Sequence, residues 1–251
     1  MRNKKNIRRK FLKAGLATSI AATIPFESVL SKPKDKLKVL VAGGHPDDPE
    51  TGCGGTIARY TAEGHEVVIL YLTKGEAGIA NKSHNEAATI RYKEALQACE
   101  ILGAKSKFFG QIDGNTGITT EDYKKMEATL KEINPDIIFT HWPIDRHRDH
   151  RICSMLIYDA WVYTGEKQPL YYYEVMSGVQ SMNFNPTDYV DISPVIAKKW
   201  KSCFIHKSQK IEEAYKDDHA KMEIFRGLEY QCDYAEAFVH VRQSPKGYLP
   251  S

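Results

Sequence analysis

A short apolar run stands at Leu37-Lys-Val-Leu-Val-Ala-Gly-Gly44 and leads directly into the polar segment His45-Pro-Asp-Asp48. A run of this length, rich in β-branched residues, is typical of a buried β-strand. We expect a helix to follow from about Thr51 to Glu63, because Gly64 stands where a helix-terminating glycine would. Strand, loop and helix in this order predict the first unit of an α/β protein.

The same alternation continues along the chain. Strands are expected at Glu66–Thr73, Lys107–Phe109 and Asp136–Thr140. One helix is expected to end before Gly103, a second to run from an N-cap at Thr120 to about Asn134, and a third to cover His150–Tyr163. The last third predicts strands at Leu170–Val175, Asp188–Ile192 and Ala237–Val241, a helix start at Ser193-Pro194, and a long helix at Ile211–Tyr230. Strands that alternate with helices predict a Rossmann-like, mostly parallel sheet with helices on both faces.

Composition and charge narrow the class of protein. The 251 residues are 42% hydrophobic and 27% charged, as in ordinary globular proteins. No apolar run approaches the roughly 18–20 residues that span a bilayer, which excludes an integral membrane protein. Residues 1–31 hold seven basic residues and one acid, so the remainder carries 28 basic and 31 acidic residues. This mildly acidic body argues against nucleic-acid binding, which requires a basic face.

The basic N-terminus is typical of an export signal. Arg8-Arg9-Lys-Phe-Leu-Lys13 precedes an uncharged stretch from Ala14 to Ile24, and the paired arginines indicate the twin-arginine machinery. We therefore interpret residues 1–31 as a signal segment of an exported, periplasmic protein, and residues 37–251 as one catalytic domain. No clean A-x-A cleavage site is visible, so cleavage and retention as an anchor both stay open. A basic amphipathic N-terminal helix is the alternative.

Two clusters of histidine and aspartate follow buried strands. His45-Pro-Asp-Asp48 comes after the first strand, and Asp145-Arg-His-Arg-Asp-His150 comes after the strand at Asp136–Thr140. Alone, the first cluster is also good turn chemistry and the second could be a solvated loop. Ligands of α/β sheets bind beyond the carboxyl ends of the strands, where parallel packing can bring both clusters together.

The donor types indicate a catalytic metal. His45, Asp48 and one histidine of the second cluster make three protein ligands, which leave a fourth position for water, as in catalytic zinc sites. Asp47 could then act as the base that takes a proton from this water, so we expect hydrolysis of an amide or ester. Non-haem iron uses a similar ligand set, so Fe²⁺ or another divalent ion stays open beside Zn²⁺.

Several separated motifs resemble the PIG-L/LmbE family of zinc-dependent N-acetylglucosaminyl deacetylases. The match covers residues 37 to about 242. Its motifs are Ala42–Asp48 with Glu50–Thr56, Leu72–Gly78, Arg91-x-x-Glu94-Ala95, Phe108-Phe-Gly-x-x-Asp113, Pro135-Asp136 to Thr140-His141, Asp145–His150, Asp191-Ile192 and His206-Lys-Ser208-Gln209.

The resemblance implies a role for each matching position. His45, Asp48 and His150 are the implied zinc ligands and Asp47 the implied general base. His147 is expected to assist the tetrahedral intermediate or the leaving amine, with Asp149 orienting it. Arg91 and Asp113 match sugar-contacting positions, although Arg91 could instead pair with a neighbouring helix acid, and Asp113 could be a turn residue before Gly114. Arg148 and Pro49 depart from the family pattern without removing a ligand or the base.

The function implied is removal of an N-acetyl group from an N-acetylglucosamine-type sugar or glycoconjugate. The expected partners are a small-molecule or glycan substrate and the twin-arginine export machinery. A zinc amidase acting on another N-acyl compound and a non-catalytic sugar-binding relative are the alternatives. Retention of Asp47 disfavours the second, because a pure binding site does not need that carboxylate. The sequence leaves the acylated sugar, the native metal and the oligomeric state open.

Overall fold

One mixed sheet of seven strands organises residues 35–251, which are the residues that the computed structural model describes. The strand order is β3-β2-β1-β4-β5-β7-β6. The strands are β1 Lys38–Gly43, β2 Glu66–Tyr71, β3 Lys105–Phe108, β4 Ile137–His141, β5 Leu170–Tyr173, β6 Asp188–Asp191 and β7 Ala235–His240. Strands β1 to β5 pair in parallel, whereas β7 is antiparallel to both β5 and β6. The expected mostly parallel sheet is confirmed.

Helices cover both faces of this sheet. They are α1 Asp48–Ala62, α2 His84–Leu102, α3 Thr120–Ile133, α4 Arg148–Tyr163, α5 Ile196–Cys203, α6 Ile211–Ala214 and α7 His219–Tyr230, with 3₁₀ turns at Ser193–Val195 and Lys207–Gln209. Val39 and Val41 of β1 belong to one buried cluster with α1 and α2 side chains. Leu40 and Ala42 belong to a second cluster, with α3 and α4 side chains. Alternate residues of a strand point to opposite faces, so β1 is buried from both sides.

The strand order places two loops side by side. The chain progresses outward from β1 to β2 and β3, then returns to add β4 on the other side of β1, with Val39 opposite Ile137 and Val41 opposite Phe139. The loops that follow β1 and β4 therefore leave the same edge of the sheet as neighbours. Such a reversal of strand order is where open α/β sheets bind ligands.

The first helix approaches the sheet closely because it is rich in glycine. A Cβ atom built on Gly52 would lie 2.5 Å from the Tyr173 ring, and one on Gly55 would lie 2.4 Å from Ile192. Larger residues at these two positions would push α1 away from the sheet. The glycines thus fix the distance between the start of α1 and the end of β5.

Three sequence expectations differ from the structure. The N-cap of α3 is Thr119, whose hydroxyl accepts from the backbone N–H of Asp122, and not Thr120. Ser193-Pro194 begins a 3₁₀ turn, because the Ser193 hydroxyl bonds the backbone of Tyr234 in place of capping a helix. The helix expected over Ile211–Tyr230 is broken into α6 and α7, since Asp218 leaves helical geometry and its carboxylate caps His219.

The expected signal segment, residues 1–31, lies outside the described residues, and its boundary with the catalytic domain stays a prediction. Within residues 35–251, every helix is too short or too polar to cross a membrane.

A buried ion pair network joins the last third of the chain to α1. Nζ of Lys199 in α5 lies 2.9 Å from Glu223 of α7 and 2.7 Å from Glu236 of β7, and all three side chains are fully buried. The Glu236 carboxylate also accepts from the backbone N–H groups of Gly55 and Thr56 at 2.8 and 2.7 Å. One cation thus holds two carboxylates from separate elements.

We expect Lys199→Met to lower the free energy of unfolding by about 3–5 kcal/mol, because two buried carboxylates lose their cation. Chemical denaturation is the measurement, and Lys201→Met is the matched control, since Lys201 lies on the same helix and is exposed. A loss below about 1 kcal/mol in Lys199→Met would show that the network does not depend on this cation.

Candidate active site

A cavity of about 640 Å³ opens where the loops after β1 and β4 meet. Most of the expected site residues line it: His45, Asp47, Asp48, Arg91, Asp113, His147 and His150. Asp149, the remaining expected residue, is buried beneath the cavity, and Oδ2 of its carboxylate lies 3.3 Å from the ring of His45. The structure therefore brings together both sequence clusters and the two separate positions Arg91 and Asp113.

Asp48 lies at the centre of this cluster. Its Oδ2 atom accepts from the backbone N–H of His45 at 2.7 Å and lies 3.1 Å from Nδ1 of the same residue. The same oxygen lies 3.2 Å from Nε2 of His150 and 3.4 Å from Nε2 of His141. The three expected metal ligands, His45, Asp48 and His150, are therefore in mutual contact through one carboxylate oxygen.

Further carboxylates hold the outer nitrogens of both histidines. Nε2 of His45 lies 3.3 Å from Asp113 and from Asp149, and Nδ1 of His150 lies 3.2 Å from Asp145. Burial lowers the pKa of each imidazole, but Asp48 and these carboxylates outweigh it, raising the pKa of His45 well above 6.5 and that of His150 to about 9. Carboxylates placed in this way fix the orientation of imidazole ligands and increase their basicity.

The charge of this cluster suits a bound cation. Burial on its own would raise the pKa of Asp48, Asp113, Asp145 and Asp149, but the neighbouring imidazoles keep all four below the ordinary aspartate value. Four ionised carboxylates in a partly dry cavity require compensating positive charge. A bound divalent ion would supply that charge and would leave both imidazoles neutral, as ligation requires. The donor set present therefore fits a metal.

Three groups of described side chains place their donor atoms within 4.8 Å of one another: His45, His147 and His150; Asp48, His141 and His150; and His45, Asp113 and Asp149. The expected set of His45, Asp48 and His150 joins the first two groups. In this set the two imidazoles come from different loops, and the Asp48 carboxylate contacts both of them. Two histidines and one carboxylate are a frequent donor set of catalytic zinc.

Asp47 lies beside the cluster and faces Arg91. Its Oδ2 atom is 3.2 Å from a guanidinium nitrogen of Arg91, which also donates to the backbone carbonyl of Pro46 at 2.5 Å. Burial raises the pKa of Asp47 to about 6, and the Arg91 charge limits the rise. A carboxylate with a pKa in this range can both accept and return a proton near neutral pH.

Asp149 contacts His147 through its backbone, and its carboxylate contacts other groups. The Asp149 carboxylate contacts His45 and accepts from the Thr116 hydroxyl at 2.6 Å and from the Gly114 N–H at 3.0 Å. His147 is held instead by the backbone, because its Nδ1 accepts from the N–H of Asp149 at 3.2 Å. The proton of the neutral ring is then on Nε2. His147 is exposed and can donate from Nε2 into the cavity.

Ion pairing was the alternative interpretation for Arg91, and a turn position was the alternative for Asp113. The structure agrees with part of each. Arg91 does form an ion pair, but with Asp47 of the site and not with a helix neighbour. Asp113 does precede a turn glycine, yet its carboxylate also accepts from the backbone N–H of Ala77 at 3.1 Å and faces His45. Both side chains line the cavity. Their contact with a substrate stays a prediction.

Comparison with known proteins identifies the family. The PIG-L model, described as GlcNAc-PI de-N-acetylase, matches residues 40–161. Diacetylchitobiose deacetylase of Thermococcus kodakarensis is 32% identical over 196 residues, covering 72% of this chain and 73% of the relative. The chain belongs to the PIG-L family.

Two further comparisons agree with this family assignment. A Bacillus cereus protein named "Probable N-acetyl-alpha-D-glucosaminyl L-malate deacetylase 2" is 31% identical over 196 residues, covering 73% of this chain and 88% of the relative. The solved structure of N,N'-diacetylchitobiose deacetylase from Pyrococcus horikoshii, in complex with its inhibitor MPG, superposes with a TM-score of 0.75 at 26% identity, covering 84% of this chain and 85% of that one. The fold of this PIG-L protein is therefore that of its relatives.

Sequence reasoning gave no role to one buried histidine of this PIG-L protein. His141 is fully buried, and its ring is stacked on His150 with centroids 4.0 Å apart. Burial and the charge of His150 lower its pKa to about 4, so it is neutral. Its Nε2 accepts from the backbone N–H of Gly44 at 3.0 Å, which ties the two loops together. Its position directly after the strand predicted at Asp136–Thr140, within a matching motif, was the available signal.

We expect the purified protein to bind about one divalent transition-metal ion per chain, because three donors converge on one position. His45→Ala and His150→Ala should lose most of this metal, as measured by elemental analysis after gel filtration. His84→Ala is the matched control, since His84 is exposed and lies outside the cavity. Full metal content in both site variants would contradict the ligand assignment.

Proposed function

We propose that this protein is a zinc-dependent hydrolase that removes the N-acetyl group from an N-acetylglucosamine-type amino sugar or glycoconjugate. The observation that carries the proposal is the placement of five side chains in one cavity. The ligand set of His45, Asp48 and His150 lies beside the carboxylate of Asp47 and the imidazole of His147. Relatives that the chain matches over most of its length are named as deacetylases of such sugars.

Each protein group has a separate task in this reaction. His45, Asp48 and His150 would hold the zinc ion, which would lower the pKa of water and polarise an amide carbonyl when bound. Asp47 accepts the proton of the attacking water and can return it to the leaving nitrogen, so that acetate and a free amine are formed. Nε2 of His147 donates a hydrogen bond to the oxygen that becomes negative in the transition state.

The cavity favours a polar, sugar-sized substrate. Its volume of about 640 Å³ is within the range of small-molecule sites. It is also lined by polar groups from the C-terminal part of the chain: Ser177, Gln180, Gln209, Asp218 and His219. Such donors and acceptors can bind sugar hydroxyls. Arg91 and Asp113 remain our candidates for contacts with the amino sugar itself.

Acetate release from a panel of acetylated compounds tests this function. The panel contains N-acetylglucosamine, N,N'-diacetylchitobiose, N-acetylated cell-wall fragments, an N-acetyl amino acid and an O-acetylated sugar. We expect the zinc-loaded protein to act on N-acetylated sugars in preference to the last two. Hydrolysis of only the N-acetyl amino acid would favour the alternative of a different amidase. Sugar binding without any acetate release would favour a non-catalytic relative.

Substitution of the two aspartates separates the base from the ligand. Asp47→Asn should keep the metal and lower turnover by roughly 10²–10⁴, the usual contribution of general base catalysis. Asp48→Asn should instead weaken metal affinity, because its carboxylate contacts both ligand imidazoles. Turnover and metal content are measured on the same preparations. Equal metal loss in the two variants would contradict this division.

We also propose that the protein is exported in the folded state by the twin-arginine machinery. Arg8-Arg9 ahead of Phe11-Leu12 supports this proposal, and so does a metal site that can be filled before transport. The substrate would then be an envelope or imported glycan.

Replacement of Arg8-Arg9 by Lys-Lys should keep the protein in the cytoplasm, because the paired arginines are the recognised feature. Activity in whole-cell lysate should not change, since residues 8 and 9 precede the catalytic domain. Cell fractionation with immunoblotting is the measurement. Normal export of the Lys-Lys variant would show that residues 1–31 are a different kind of signal.

A further inference from the structure

Asp47 has an unusual backbone conformation. Its φ is 115° and its ψ is −33°. Six other non-glycine residues of the described chain have a positive φ, but their values lie between 48° and 63°, within the ordinary left-handed region. Asp47 lies well outside that region, where a side chain with a Cβ atom is strained. Strained conformations of this kind persist only where the surrounding structure enforces them, and they concentrate at functional sites.

The first turn of α1 holds both polar backbone groups of Asp47. Its N–H donates to Oε2 of Glu50 at 3.2 Å. Its carbonyl accepts from the N–H of Thr51 at 2.9 Å and from the Thr51 hydroxyl at 3.0 Å. Among the described residues, Glu50 is the side chain that accepts a hydrogen bond from the Asp47 N–H. Loss of that contact would free the N–H and allow φ to relax.

Glu50 is itself held by two side chains from distant parts of the sequence. It is fully buried, and its Oε1 accepts from the Tyr71 hydroxyl at 2.5 Å. Nε2 of His206 lies 3.4 Å from the same oxygen. Tyr71 is the last residue of β2, and His206 precedes the 3₁₀ turn at Lys207–Gln209. Glu50 therefore connects the backbone of Asp47 to the sheet and to the C-terminal part of the chain.

His206 is the second side chain that faces Glu50. Neither of its ring nitrogens forms a hydrogen bond within the described part of the chain, so its contact with Glu50 is one of ion-pair distance. Burial lowers the pKa of His206, but Glu50 and Asp47 outweigh that effect and raise it. Its position is fixed by the next turn, because the N–H and hydroxyl of Ser208 donate to the Glu94 carboxylate of α2 at 2.9 and 2.6 Å. The imidazole is thus anchored where it faces Glu50.

We propose that Glu50, Tyr71 and His206 are positioning residues that fix the strained backbone of Asp47 and so aim its carboxylate into the cavity. This proposal rests on the proposed function, in which Asp47 is the general base. None of the three is a metal ligand in our assignment, and none lines the cavity, so they act only through Asp47. A displacement of about 1 Å at a reacting group can lower a rate roughly 100-fold.

Two conservative variants test the proposal. Tyr71→Phe removes one donor to Glu50, and His206→Met replaces the imidazole with an apolar side chain of similar length. We expect each to lower kcat roughly 10- to 100-fold with KM and zinc content unchanged, because substrate contacts and metal ligands are intact.

Tyr60→Phe is the matched control. Tyr60 is also fully buried, and its hydroxyl donates to the backbone carbonyl of Tyr248 at 2.6 Å, at the far end of α1. Its kcat should equal that of the wild type. Steady-state kinetics, zinc content and thermal midpoint are measured for every variant, so that unfolded protein is recognised. A crystal structure of His206→Met should show φ of Asp47 displaced from 115°.

The outcomes separate this proposal from the proposed function. An inactive wild type, or Asp47→Asn with wild-type turnover, would contradict the function itself. If Asp47→Asn is impaired but Tyr71→Phe and His206→Met have wild-type kcat, only the positioning role is wrong. Equal loss of kcat in Tyr60→Phe, or loss of zinc in His206→Met, would also overturn it, since the effect would then be a general loss of structure.

Discussion

A single carboxylate oxygen, Oδ2 of Asp48, lies within 3.4 Å of nitrogen atoms from three histidines. His45 comes from the loop after β1, His141 ends β4, and His150 lies in the first turn of α4. These segments meet because the strand order reverses between β1 and β4. The carboxylates around them stay ionised only if positive charge is present. The reversal of strand order therefore creates this contact, and the proposed metal site depends on it.

Much of the fold follows from local sequence patterns. The apolar runs of β1, β2 and β4 and the glycines after α1 and α2 are strong signals of parallel strands and helix ends. The C-terminal part was harder to predict. Helical periodicity is continuous from Ile211 to Tyr230, yet Asp218 breaks it, because a side-chain cap on His219 replaces the helical bond. Whether β7 runs parallel or antiparallel is set by tertiary pairing, which no local pattern encodes.

The sequence predicts that the two clusters converge, because both follow strands that lie side by side in the sheet. It does not predict the contacts between them. Asp149 was paired with His147, which is close in sequence, whereas its carboxylate faces His45 across the site. The support of Asp47 by Glu50, Tyr71 and His206 joins residues up to 159 positions apart. A strained backbone such as that of Asp47 leaves no trace in composition or periodicity.

Anomalous diffraction from a zinc-loaded crystal is the most direct test of the ligand assignment. Data collected on both sides of the zinc absorption edge locate the ion without reference to activity. We expect one site, bound by His45, Asp48 and His150, with Asp47 beside it but not coordinated. An ion held instead by His45, Asp113 and Asp149, or by Asp48, His141 and His150 without His45, would show that the assignment is wrong.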